Sequence, residues 1–290
     1  MFRPVALAAA ALLTVACVQP AEIEEEETAE TTSEALISCG WLAGGDCRDV
    51  PRGGNWRSPH FWADVYLNKF AAQRKAFNEN IEPATYPPLA KSRTVVLVTG
   101  VTIRAAWFEG IQKRLERDGF KTVMYEPPNL LTGDLFQASK ELGDFVEKVQ
   151  AENGGEKVDI LAECTGGLIA RHYIQALGGE DHVARMVTFV SPQNGIAAVP
   201  LVAWFTGWPA LYDLSPGSRF LRTVNSASLP KNVPFTSIYT CTDEYIQPYK
   251  TSIIKGATNI NICGEGFVGH FQTMYDVKYY KMMHDALMRE

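Results

Sequence analysis

Hydrophobic and polar positions divide this chain into three regimes. Residues 5–16 are almost unbroken apolar, residues 21–35 are dominated by Glu, Thr and Ala without an aromatic side chain, and from about residue 93 short apolar runs alternate with amphipathic stretches. The third regime carries the fold. Residues 93–101 read as a strand, 107–118 as a helix, 122–125 as a short strand, and 139–153 as a helix closed by Gly154-Gly155. An apolar strand from Val158 runs into a small-residue turn and out into another helix; 183–190, the stretch from Phe235 and 259–263 read as later strands. Strands alternating with helices of about 10–15 residues imply a parallel sheet, with sites at the C-terminal ends of its strands. Ahead of this core, Phe61, Val65, Leu67, Phe70 and Phe77 recur at near-helical spacing, and Pro83 to Pro88 closes that extension. Residues 197–211 break the rhythm with Trp204, Phe205, Trp208 and Leu211, as either an apolar wall or lid, or an amphipathic helix packed on the core.

Length and charge narrow the picture. With 290 residues, 46% of them hydrophobic, the chain can bury one large core. A net charge of −6 with no Lys/Arg cluster argues against a nucleic-acid partner. Arg3 followed by an apolar run too short to span a bilayer reads as an export signal. Its end, Leu13-Thr-Val-Ala-Cys17, resembles a bacterial lipobox, which implies lipidation at Cys17; an ordinary secretory signal with a nearby cleavage site is the alternative. The expected organisation is a signal peptide at 1–16, a lipidated Cys and acidic flexible tether at 17–37, an irregular N-terminal extension at 38–91, and one α/β domain at 92–290. The protein is then expected as an exported lipoprotein on a membrane facing the periplasm or cell surface, or, without lipidation, as a secreted one.

The turn after Val158 reads Ala162-Glu163-Cys164-Thr165-Gly166-Gly167-Leu168-Ile-Ala-Arg171. Small residues two before and two after Cys164 suit a strained strand-to-helix turn, and the following helix points its N-terminus, which favours a thiolate, at the sulfur. This predicts a thiol pKa below the free value of about 8.5. A buried structural cysteine on an ordinary turn is the bland alternative. Four segments in order now resemble the secreted bacterial lipases and esterases of the α/β-hydrolase fold, whose nucleophile elbow has this layout. They are the strand ending at Thr99-Gly100-Val101, the elbow with Cys164 where those enzymes carry Ser, the strand from Phe235 leading to Asp243, and Gly269-His270-Phe271. Glu163 and Thr99 stand where those enzymes commonly carry His.

The resemblance implies an α/β-hydrolase fold: a mostly parallel central sheet flanked by helices, with a small cap or lid insertion. It implies a triad of Cys164, His270 and Asp243, with Asp213 as the runner-up acid, and an oxyanion hole from the backbone N–H groups of Val101 and Thr165. Trp204, Phe205 and Trp208 would line the acyl site. Cys39 and Cys47 are close in sequence and make an easy pair. Cys241 and Cys263 end neighbouring strands, and a bridge there, as some related lipases have, would brace the loops bearing acid and base. Cys164 is left over as a reactive thiol. No cofactor is expected, and no metal-ligand spacing is evident: His60, His172, His182 and His284 stand alone. The implied activity is hydrolysis of carboxylic esters or lipids through a thioester acyl-enzyme. An acyltransferase using the same triad, or an inactive relative that binds lipid or a partner, are the alternatives.

Overall fold

The computed structural model describes residues 70–87, 89, 92–263 and 268–289. The signal peptide, Cys17, the acidic tether, the Cys39–Cys47 pair and His60 lie outside the described residues, as does the first half of the helix expected at 61–79. Its second half is α1 (Phe70–Glu79).

Six strands form one sheet in the order β2-β1-β3-β4-β5-β6, with every neighbouring pair parallel. They are β1 (Thr94–Val98), β2 (Lys121–Tyr125), β3 (Val158–Glu163), β4 (Val183–Phe189), β5 (Phe235–Tyr239) and β6 (Thr258–Asn261). β1 and β3 are buried at every position, as strands covered on both faces must be. Alternate residues divide between two cores. Val96, Val98, Ile160 and Ala162 face α3 (Leu135–Glu152) and α4 (Thr165–Ala176), whereas Val95, Leu97 and Leu161 face α1, α2 (Glu109–Arg117) and α8 (Val277–Leu287). Chain order reverses between β1 and β3, and a crevice opens at such a switch point, beyond the C-terminal ends of the strands.

The sheet agrees with the sequence reading; several boundaries do not. α3 starts at Leu135, four residues before the expected 139, because the Asp134 side chain caps it by accepting the Gln137 N–H at 2.8 Å. β6 stops at Asn261, short of Cys263. The 197–211 insertion is two helices, α5 (Val199–Thr206) and α6 (Pro209–Asp213), parted by Gly207 at φ 67° and by Pro209. α7 (Arg219–Ser226), capped by Ser218, and α8 are not anticipated by the strand–helix pattern. No helix among the described residues is long and apolar enough to cross a membrane.

Candidate active site

Cys164 sits between β3 and α4 with φ 49° and ψ −126°, a left-handed backbone rarely adopted by a residue with a Cβ. Hydrogen bonds from several elements impose it. The Cys164 N–H donates to the Phe189 carbonyl at the end of β4, and its own carbonyl accepts the Ser191 hydroxyl at 2.6 Å. Gln193 donates to that hydroxyl at 2.7 Å. The two glycines after the turn are required by close approach: a Cβ at Gly166 would lie 2.6 Å from the Thr99 carbonyl oxygen, and one at Gly167 would collide with Thr188 and Ser191. β1 and β4 can therefore press against the start of α4, which brings the end of β1 beside the sulfur.

The other expected residues arrive from the far side of the sheet. Asp243 follows β5 in a loop that its own Oδ1 organises, accepting the N–H groups of Tyr245 at 2.9 Å and Ile246 at 2.8 Å. Its Oδ2 lies 2.7 Å from Nδ1 of His270. The loops bearing Asp243 and His270 are joined three ways. The Cys241–Cys263 bridge links them with a Cα–Cα distance of 4.9 Å, and the hydroxyls of Thr240 and Thr242 each donate to the Val268 carbonyl at 3.0 Å. His270 also donates its backbone N–H to Glu244 Oε2 at 2.9 Å. Asp213, the runner-up acid, is engaged elsewhere, accepting the Leu135 N–H at 3.0 Å at the start of α3.

Glu163 is the residue whose part the sequence did not convey. One carboxylate oxygen accepts the Gly100 N–H at 2.8 Å, and the other lies 3.1 Å from Nε2 of His270. Its side chain is fully buried. Its sequence signal is period two along β3, where Asp159 and Glu163 interrupt an otherwise apolar strand, but the partners lie 63 and 107 residues away. Donor atoms of Glu163, Cys164 and His270 all fall within 4.8 Å of one another, a cluster that linear spacing did not reveal.

This crowding sets the protonation of the site. Burial and the Glu163 carboxylate push the Cys164 thiol up, and the opposing pull of His270 and the Thr165 hydroxyl does not cancel them. The expectation of a lowered thiol pKa is therefore overturned: a helix N-terminus and a histidine are outweighed by a buried sulfur beside a carboxylate. Burial favours neutral His270, but Asp243, the sulfur and hydrogen bonds to both hold the imidazole well above its ordinary value. Burial also raises Glu244 to about 7, against the pull of His270 and backbone hydrogen bonds.

The remaining residues expected at the site spread out. Val101 follows Gly100 at the end of β1, and Thr165 opens α4, where a backbone N–H has no acceptor within the helix. Trp204 and Phe205 stack edge to face at 4.7 Å on the outside of α5, each 71% exposed, whereas Trp208 packs against the core. His172 lies between Phe136 and Phe220, His284 stacks on Tyr86 at 3.5 Å, and His182 bonds Gln150.

The family model for palmitoyl protein thioesterase matches residues 95–249, more than half of the chain. The chain belongs to the palmitoyl protein thioesterase family. The match begins in β1 and ends past Asp243, so the family segment contains the turn at Cys164 and Asp243, while His270 lies beyond it. Lipase B of Pseudozyma antarctica is 24% identical over 195 residues, 62% of this chain. The matched region spans 57% of that protein's length. Among solved structures, Aspergillus fumigatus lipase B superposes with a TM-score of 0.61 at 18% identity, covering 79% of this chain and 67% of that one. The mature lipase BlEst2 of Bacillus licheniformis gives 0.56 at 14% identity, over 71% and 96%. These likenesses establish that this thioesterase-family chain has the α/β-hydrolase fold.

Proposed function

We propose that this protein is an acyl hydrolase that uses Cys164 as nucleophile, His270 as base and Asp243 as the group orienting the imidazole. The 2.7 Å contact between His270 Nδ1 and Asp243, with Nε2 facing the sulfur side, carries the reading. Asp243 orients the ring, and once the imidazolium has given up its Nε2 proton it fixes the tautomer that can take one from the thiol. The thiol proton passes to Nε2 as sulfur bonds to the acyl carbon, and the backbone N–H groups of Val101 and Thr165 take up the charge on the carbonyl oxygen. Nε2 then protonates the departing alcohol or thiol. Water attacks the resulting thioester, its proton goes to Nε2, and the sulfur leaves and recovers that proton.

Family membership supports acyl esters and thioesters as the substrate class. A cysteine nucleophile suits thioesters because exchanging one thiol for another on the acyl carbon costs little. The exposed Trp204–Phe205 pair on α5 fits an apolar wall or lid for a fatty chain. Cys17 fits a lipid anchor at an exported, membrane-facing location, with the acidic segment after it as tether.

The test is a covalent one. Incubation with p-nitrophenyl butyrate or a palmitoyl thioester and quenching in acid should add one acyl group, mapping to Cys164 by mass spectrometry. His270→Ala should lower turnover by about 100-fold or more, the scale of a lost general base. Cys164→Ala should abolish the adduct. Wild type without adduct or turnover on either ester would instead favour an inactive, lipid-binding relative.

A further inference from the structure

We propose that Glu163, Cys164 and His270 bind one soft divalent cation, Zn2+, which occupies the nucleophile and blocks the site reversibly. The three residues offer one oxygen, one sulfur and one nitrogen, with all donor atoms within 4.8 Å of one another and all three side chains buried. A mixed N/O/S set of three, leaving a fourth position open, is the donor chemistry Zn2+ selects, with bonds of about 2.0–2.3 Å. Tetrahedral bonds of that length place donors about 3.4–3.8 Å apart, so the cluster needs rearrangement of about an ångström. Nε2 and the Glu163 oxygen are already at 3.1 Å.

The surroundings strengthen the assignment. A histidine ligand commonly donates its other ring N–H to a carboxylate, which fixes the ring. His270 does so through Nδ1 to Asp243 at 2.7 Å. Glu163 is similarly held, its second oxygen accepting the Gly100 N–H at 2.8 Å, so the first oxygen is already turned toward the sulfur and the ring. Both outer contacts exist before any ion arrives. Metal binds the thiolate and the unprotonated Nε2, and the protons displaced from them pass to solvent. The inference rests on the proposed function in one respect: the ion reaches the sulfur by the route a substrate would use.

Co2+ makes the site visible, because a cobalt–thiolate bond gives a near-ultraviolet charge-transfer band. The full chain, treated with chelator and freed of it, is titrated with Co2+ and then Zn2+. The band should saturate at one ion per chain and be displaced by Zn2+. Glu163→Gln should weaken Co2+ binding by about tenfold or more, at least the loss seen for an outer-shell partner. Cys164→Ser should remove the band, and Cys164→Ala does the same duty if the serine variant fails to fold. Zn2+ should inhibit p-nitrophenyl butyrate hydrolysis, with activity restored by EDTA. Absence of the band in wild type, a band surviving in Cys164→Ala, or unweakened Co2+ binding in Glu163→Gln would overturn the proposal. Acyl adduct without a cobalt band refutes the metal site alone; a cobalt band without adduct refutes the hydrolase reading alone.

Discussion

Nε2 of His270 faces both the Cys164 sulfur and the Glu163 carboxylate, and its single N–H or lone pair can engage only one of them at a time. Glu163 therefore competes with the sulfur for the His270 ring, and its charge disfavours thiolate. Removing that charge while keeping the shape isolates the effect. In Glu163→Gln, the pH midpoint for iodoacetamide alkylation of Cys164 should fall below that of wild type, which lies above the free-cysteine value of about 8.5. A midpoint that stays or rises would show that Glu163 does not govern the thiol. Of the three triad candidates, Cys164 is legible as the turn residue of a strand–turn–helix, whereas Asp243 and His270 are legible only through the resemblance of their segments to those of lipases. Glu163 is legible only as a charged residue in an apolar strand. Its work depends on an amide and an imidazole that the sheet brings from distant parts of the chain.

At the scale of elements, the same division separates α2 from what holds it. The helix follows from apolar spacing, but its attachment to α1 depends on Arg114, which is fully buried. Its guanidinium donates to the carbonyls of Phe77, Asn80 and Gly110 and to both oxygens of Glu82, and lies over the Phe77 ring. An arginine in an amphipathic helix reads as solvent-facing, and only the returning chain at 77–82 reverses that. Partial burial works against ionised Glu82, but hydrogen bonds from Arg114 and Arg117 prevail and hold it down to about 2. A carboxylate depressed in the folded state adds stability above its unfolded value of about 4.3 and loses it as pH falls toward the folded value. Glu82→Gln should then cost about 2 kcal/mol in urea unfolding near neutrality, a figure discounted for its partial exposure. The gap from wild type should narrow below about pH 4 and close only near pH 2. A gap that persists in acid would assign the loss to packing.

At the scale of the molecule, a wholly parallel sheet places the elbow, the acid loop and the base loop along one edge, and the alternation of strands and helices is enough to anticipate this. The proposed anchor, Cys17, belongs to a different part of the chain. Expressed in a bacterium with intact lipoprotein export, Cys17→Ser should move the protein from the membrane fraction to the soluble one. Retention on membranes at low and high salt would put the attachment elsewhere. The sequence left α7 and α8 unread because Ser218 and Asp276 signal starts only once the neighbouring strands are placed. The left-handed backbone of Cys164 also weighs on the stability of the whole. A non-glycine residue held there costs roughly 1–3 kcal/mol, which the remaining fold must supply, and glycine would relieve it. Glycine here would make a tougher protein without the thiol, so stability and the proposed chemistry pull this position in opposite directions.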